Sequence, residues 1–247
     1  MEYGILVDTT RCTYCGKCID ACEEKHQGVN PGTFYTDVTL TYPRGKENRA
    51  LPVSSRCMHC NDSPCVAACQ GKALSKLPEG PVIWDEDKCI GCLSCISVCP
   101  FDKSLHYASS KAKVFKCDMC YERIFEGLKP ACVEICEEYG YYALSFGPFD
   151  DILDEGMQRA EELSGILFYP EATHTLMLFK EEEFNKSLMQ NVFGFSEVYP
   201  SQATVKANVT KYVRLGWIPV AGGLVFYILN WRKNRMEKLV KTKGGGE

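Results

Sequence analysis

The chain has 247 residues and 16 cysteines, too long for a disulfide-stapled mini-protein and long enough for one or two domains with their own cores. A net charge of −4 and a pI near 5.7 exclude the basic surface of a nucleic-acid binder, so no nucleic acid is expected as a partner. The mean hydropathy of −0.19 fits a soluble body.

The opening "MEYGILVDTT" has no positive region, long apolar run or cleavage site, so no secretory signal is expected there. Tyr3–Asp8 reads as a strand leading into the first of four cysteine runs. Run one holds Cys12, Cys15, Cys18 and Cys22, and run two holds Cys57, Cys60, Cys65 and Cys69. The next stretch, "ALSKLPEGPVIWDEDK", predicts two short strands around a turn at Pro78–Pro81. Run three, "CIGCLSCISVCP", holds Cys89, Cys92, Cys95 and Cys99. Run four holds Cys117, Cys120, Cys132 and Cys136, and no cysteine follows it. Asp150–Ser164 places Ile152, Leu153, Met157, Ala160 and Leu163 at helical spacing, with Asp150 as the expected cap and Gly165 as the stop. Thr173–Phe179 reads as a strand, and residues 181–183 as a solvated acidic run.

Near the end, Leu215–Trp231 carries no charge and lies at the short end of what crosses about 30 Å of hydrocarbon. Tyr212, Trp217, Tyr227 and Trp231 lie near its two ends, as in an aromatic belt, and Arg214 can snorkel. Pro219 falls in the first turns, where it does least harm. A membrane span is expected here, against the alternative of a buried core helix. Lys206, Lys211 and Arg214 precede it; Arg232, Lys233, Arg235, Lys238, Lys241 and Lys243 follow. The positive-inside rule then predicts a single-pass protein of the cell membrane, with a cytoplasmic C-terminus and a periplasmic or extracellular head.

Sixteen cysteines make four sets of four with none left over. Disulfides would not call for repeated C-x-x-C. Zinc favours one or two such pairs joined into a tetrahedral site. An iron–sulfur cubane needs several thiolates wrapped around a bulky core, and C-x-x-C-x-x-C supplies three from one tight turn. In the bacterial run C-x2-C-x2-C-x3-C-P the fourth cysteine ligates the other cluster. Cys89, Cys92 and Cys95 are therefore expected to hold one cluster, while Cys99 reaches a second. Reciprocal donation pairs runs two and three, which leaves runs one and four as the other pair. The expected sets are Cys12, Cys15, Cys18 and Cys136 (site 1); Cys57, Cys60, Cys65 and Cys99 (site 2); Cys89, Cys92, Cys95 and Cys69 (site 3); and Cys117, Cys120, Cys132 and Cys22 (site 4). Four [4Fe–4S] clusters are the expected cofactors.

The motifs "DTTRCTYCGKCIDAC", "RCMHCNDSPCVAAC", "DEDKCIGCLSCISVCPF" and "KCDMCYERIFEGLKPACVEIC" carry a resemblance over residues 3–180. The sequence resembles the four-cluster electron-transfer (beta) subunit of molybdenum or tungsten bis-pterin oxidoreductases, among them formate dehydrogenase, dimethyl sulfoxide reductase and polysulfide reductase. The same module serves some membrane nickel–iron hydrogenases. The gap between Cys120 and Cys132 with its "LKPAC" is the most specific of these features. In that family runs one and four share two clusters, and so do runs two and three. Where relatives often have proline after the last cysteine of runs two and four, this sequence has Gln70 and Glu137. Each position gains an N–H that can alter hydrogen bonding near sulfur.

No Ser–His–Asp arrangement, phosphate loop or dinucleotide fingerprint is evident, so no catalytic site is expected in this chain. His59 sits inside a C-x-x-C, but each set already has four cysteines; His26, His106 and His174 read as structural or surface residues. The expected fold class is α+β: tandem bacterial-ferredoxin-like modules binding four clusters, plus one C-terminal transmembrane helix. Residues 1–50 and 105–200 would form an outer module, 51–104 an inserted one, 201–236 the anchor and 237–247 a basic tail. The expected function is electron transfer between a catalytic subunit of the formate dehydrogenase type and a membrane cytochrome b or quinone-binding subunit at the lipid bilayer. Like the relatives with a C-terminal span, the head would be exported folded, bound to a partner that carries a twin-arginine signal. A nickel–iron hydrogenase subunit is the alternative. A zinc-stabilised interaction protein is the rival of another class, and a redox sensor would need an effector region that is not seen.

Overall fold

Ile5, Leu6 and Val7 are consecutive apolar residues, the pattern of a strand covered on both faces. The computed structural model, which describes residues 1–26, 35–41, 51–101, 105–108, 112–168 and 172–180, places them at the centre of the molecule's main sheet. In chain order the elements are β1 (Tyr3–Asp8), α1 (Lys17–His26), β2 (Thr36–Thr41), β3 (Leu51–Arg56), α2 (Pro64–Ala68), β4 (Leu74–Lys76), β5 (Val82–Trp84) and α3 (Ser94–Val98). There follow β6 (Leu105–Ala108), β7 (Lys113–Lys116), α4 (Tyr121–Phe125), α5 (Ala131–Glu138), β8 (Leu144–Pro148), α6 (Phe149–Leu163), β9 (Gly165–Phe168) and β10 (Thr175–Lys180). The chain divides into Met1–Val205 and Lys206–Glu247, and every described residue belongs to the first unit.

The main sheet runs β8-β1-β10-β9, with β1 parallel to β10 and antiparallel to β8. Successive side chains of a strand point to opposite faces, and here the two faces do different jobs. Leu6, Leu176 and Leu178 pack on Ile152, Leu153, Ala160 and Leu163 of α6. Ile5, Val7, Met177 and Phe179 face the other way, into a core that includes Cys60, Cys132 and Cys136. Three two-stranded ribbons, β2–β3, β4–β5 and β6–β7, complete the strand inventory of the described residues. β4 and β5 flank the expected turn at Pro78–Pro81 and, with Leu105 and Val114 of the third ribbon, surround Cys65 and Cys95.

Three expected boundaries move. The cap of α6 is Pro148, and Asp150 lies inside the first turn, where its charge complements the helix dipole. The helix stops at Ser164, which is left-handed with φ 47°; Gly165 instead begins β9. A side chain at Gly165 would come within 2.6 Å of the Phe179 carbonyl, so this glycine serves close strand approach. The last strand starts at Thr175, because Thr173 forms an isolated bridge with Cys60. Among the described residues no helix is long and apolar enough to cross a membrane. The expected span Leu215–Trp231, the acidic run 181–183 and the basic tail lie outside the described residues.

Candidate metal centres

Each cysteine run bends in the same way. In the first C-x-x-C of every run the residue before the second cysteine is left-handed: Tyr14 at φ 59°, His59 at 48°, Gly91 at 67° and Met119 at 63°. A left-handed residue in a tight turn brings successive backbone N–H groups to one side, forming a concavity suited to an anion. Only Gly91 announces this in the sequence, and there a side chain would also collide with the Ala112 carbonyl. Short helices then carry the later cysteines away: Cys65 lies in α2, Cys95 in α3, and Cys132 and Cys136 in α5.

Three cavities show which thiols gather. One is lined by Cys12, Cys15, Cys18 and Cys136, with Val7, Val38, Tyr141 and Leu144 around them. A second is lined by Cys69, Cys89, Cys92 and Cys95 under Leu74, Trp84 and Val114. A third is lined by Cys22, Cys117, Cys120 and Cys132 beside Ile5 and Tyr35. Of the remaining four, Cys57, Cys60 and Cys65 are buried, and all three repel negative charge on Cys99.

All sixteen thiols are free. Burial pushes Cys18, Cys22, Cys65 and Cys95 up to about 12, and neighbouring thiols push the same way. Cys99 and Cys117 are held well above their ordinary range, again chiefly by burial. Four bare thiolates cannot share such a cavity; an electropositive core that replaces their protons removes the conflict. A single zinc fits poorly. Its ligand sulfurs sit about 3.8 Å apart on 2.3 Å arms. Among the described residues the one trio of metal-binding side chains drawn mutually within 4.8 Å is His26, Asp118 and Cys120. The thiol sets are wider than that and suit a bulkier core. Backbone N–H groups already meet sulfur at two of them, Ala73 N to Cys69 Sγ at 3.1 Å and Met119 N to Cys117 Sγ at 3.4 Å.

The histidines take other work. His59 is fully buried, and its Nδ1 accepts the Val82 N–H at 2.9 Å. His26 packs against Tyr35 with ring centroids 4.0 Å apart and the rings tilted by 47°. His174 is buried with its Nε2 2.8 Å from Glu2 Oε2, and His106 is half-buried in β6.

Sequence reasoning missed two buried cations. Arg56 and Lys116 are each 1 % exposed. Arg56 donates from Nε to Ser54 Oγ at 2.7 Å and from Nη1 to Cys132 Sγ at 3.5 Å, and it also lines the first cavity. Lys116 donates from Nζ to the carbonyls of Val82 and Cys117. Burial works against both charges, and ionised thiolates restore them, Cys132 and Cys18 first for Arg56 and Cys57 and Cys117 first for Lys116. The available signal was a basic residue directly before the first cysteine of each run.

Three cavities, each lined by four thiols from two runs, on a ferredoxin-like mix of short helices and ribbons, define an iron–sulfur electron carrier. Two family models described as "4Fe-4S dicluster domain" match residues 49–145 and 4–70. Over 161 residues the protein is 36 % identical to the B polypeptide of the anaerobic dimethyl sulfoxide reductase of Escherichia coli K12, an alignment covering 61 % of this sequence and 76 % of that one. It is 33 % identical over 184 residues to YnfG, a polypeptide of a probable anaerobic dimethyl sulfoxide reductase of the same organism, covering 70 % and 85 %. Against the B polypeptide of the tetrathionate reductase of Salmonella typhimurium the identity is 33 % over 139 residues, covering 55 % and 54 %. The protein belongs to the family of iron–sulfur electron-transfer subunits of molybdopterin oxidoreductases. It carries tandem dicluster domains, and hence four [4Fe–4S] clusters.

Proposed function

We propose that this protein carries electrons between a molybdenum or tungsten bis-pterin catalytic subunit and a membrane cytochrome b or quinone-binding subunit. When bound, the clusters supply one-electron redox centres. The protein's own residues hold them, keep them dry and set their spacing and charge. The ligand sets are Cys12, Cys15, Cys18 and Cys136; Cys57, Cys60, Cys65 and Cys99; Cys89, Cys92, Cys95 and Cys69; and Cys117, Cys120, Cys132 and Cys22. The observation that carries this reading is that three cavities each collect three thiols of one run with a single thiol of another. Contacts between sets support an order of sites 1, 4, 2 and 3: Cys18 feels Cys132, Cys22 and Cys117 pack with Cys57, and Cys95 feels Cys65. Sites 1 and 4 belong to the outer module of residues 1–50 and 105–200, and sites 2 and 3 to the inserted module of 51–104.

The membrane part of the proposal rests on the sequence. Leu215–Trp231 is the anchor, 237–247 the basic tail, and the excess of Lys and Arg after the span puts the tail in the cytoplasm and the head outside. The span supports a catalytic partner of the formate dehydrogenase type, with a nickel–iron hydrogenase as the alternative. A sulfoxide or tetrathionate reductase type of partner is supported by the identity to the reductase polypeptides above. Anaerobic purification of the native complex tests all of this. About four [4Fe–4S] clusters per polypeptide and a co-purifying pterin subunit are expected; stoichiometric zinc with little iron overturns the function. Protease added to spheroplasts should reach the head and spare the tail, and the reverse pattern overturns the orientation.

A further inference from the structure

Lys116 closes β7 and is followed at once by Cys117, a site 4 ligand in the reading above. Its ammonium ties the Cys117 carbonyl to the Val82 carbonyl, and Val82 packs with Cys65 and Cys95 around the inserted pair of sites. Its neighbour Phe115 is fully buried in one cluster with Cys22, Cys57 and Cys117, thiols assigned to sites 4 and 2. Both hydrogen bonds of this ammonium go to neutral carbonyls. Cys57, Cys117 and Cys65, as thiolates, answer its charge together with Asp118. Arg56 occupies the corresponding seat one junction away. It lines the cavity of Cys12, Cys15, Cys18 and Cys136, yet gives an N–H to Cys132 of the neighbouring set.

We propose that Arg56 and Lys116 are fixed countercharges shared across two junctions of the cluster series, Arg56 between sites 1 and 4 and Lys116 between sites 4 and 2. They are positioning residues that set reduction potentials in pairs. This rests on the ligand sets proposed above. Four thiolates of one set would hold a cluster whose reduced form carries one more negative charge than its oxidised form. A cation buried beside its ligands favours the more negative state. Water cannot screen that attraction where the side chain is almost wholly buried. A cation shared between two sites therefore raises both potentials together. It makes the junction easy to populate with an electron from either side.

The sharing predicts a pattern that a single-site effect cannot produce. Removing Lys116 should lower sites 4 and 2, removing Arg56 should lower sites 1 and 4, and site 3 should move in neither case. The test is a redox titration of the full-length protein with its clusters, followed by electron paramagnetic resonance. Signals are first assigned with Cys15→Ser, Cys65→Ser, Cys92→Ser and Cys120→Ser. Those assignments fail on their own if the ligand sets are wrong, which separates that failure from a failure of this proposal. In Lys116→Met the oxidised-to-reduced ratio at fixed potential should rise about tenfold at sites 4 and 2, about 59 mV for a one-electron couple. Arg56→Met should do the same at sites 1 and 4. Lys116→Arg and Arg56→Lys keep the charge and should return most of the shift. Unchanged potentials with full iron content, a shift at one site alone, an equal shift at all four, or no rescue by the charge-keeping variants would overturn the proposal. Should a methionine variant fail to take up iron, the glutamine variant decides by site-resolved iron content. Loss confined to the two named sites supports the shared countercharge, and loss at site 3 refutes it.

Discussion

Four basic residues stand directly before the first cysteine of the four runs, and the fold treats them in two opposite ways. Arg11 and Lys88 stay at the surface, each paired with an aspartate three residues upstream: Arg11 Nε with Asp8 Oδ2 at 3.5 Å, and Lys88 Nζ with Asp85 Oδ2 at 2.5 Å. Arg56 and Lys116 are buried among thiols. The local backbone decides which. Asp8 and Asp85 each accept a backbone N–H two residues on, from Thr10 at 2.9 Å and from Asp87 at 3.0 Å. These short turns swing the following cation outward. Arg56 and Lys116 have no such turn before them. They are the last residues of paired strands, opposite Thr36 and Leu105, and a strand directs alternate side chains to opposite faces. One position in the motif thus becomes a surface ion pair or an interior charge, depending on whether a turn or a strand delivers it.

The comparison can be broken at several points. The largest effect is expected from the thiol that joins the set of Cys57 and Cys65, which Lys116 faces. Cys99→Ser should lose or convert the cluster of Cys57, Cys60 and Cys65 and spare that of Cys89, Cys92 and Cys95, as read by iron content and resonance spectra. Loss of the second cluster instead would show each run closing on itself. Next comes stability. Arg56→Ala leaves buried partners unanswered and should cost about 3–5 kcal/mol, whereas Arg11→Ala, at the surface, should cost under about 1 kcal/mol. Thermal unfolding of the cluster-loaded protein measures both, and equal losses would remove the distinction. Smaller still, Lys88→Met should leave every cluster potential unchanged, although Lys88 adjoins Cys89. A shift there as large as that of Lys116→Met would mean that sequence adjacency, not burial, sets the effect.

A modest effect on stability concerns pH. His174 is held below its ordinary value of 6.5, first by burial and then by the charge of Lys76, with Glu2 opposing. The fold therefore disfavours the protonated ring. The stability this contributes is fully present above pH 6.5 and is lost as the pH falls below that value. The thermal midpoint of the wild-type protein should drop more steeply below this pH than that of His174→Gln, by about 2–4 °C. Identical slopes would place the acid sensitivity elsewhere.

Much of the frame was legible because its signals are short in range. The apolar run of β1, the turn between β4 and β5, and the helical spacing of Ile152, Leu153, Ala160 and Leu163 are each complete within one stretch of sequence; Met157, expected on that same helix face, is exposed instead. The C-x-x-C runs likewise carry their chemistry locally. What stayed hidden depends on distant partners. β2 and β3 are strands because they pair across a connection, and β8 is one because β1 lies beside it. The left-handed Tyr14, His59 and Met119 adopt a conformation that their own side chains disfavour. The burial of Arg56 and Lys116 is set by thiols from other runs, which no window around either residue contains.

Cys15 alone among the sixteen cysteines is exposed. Of the four thiols that line its cavity it is the one that a dissolved oxidant or chelator reaches first. Air damage to the loaded protein should therefore start at that corner and leave the deeper sets for last.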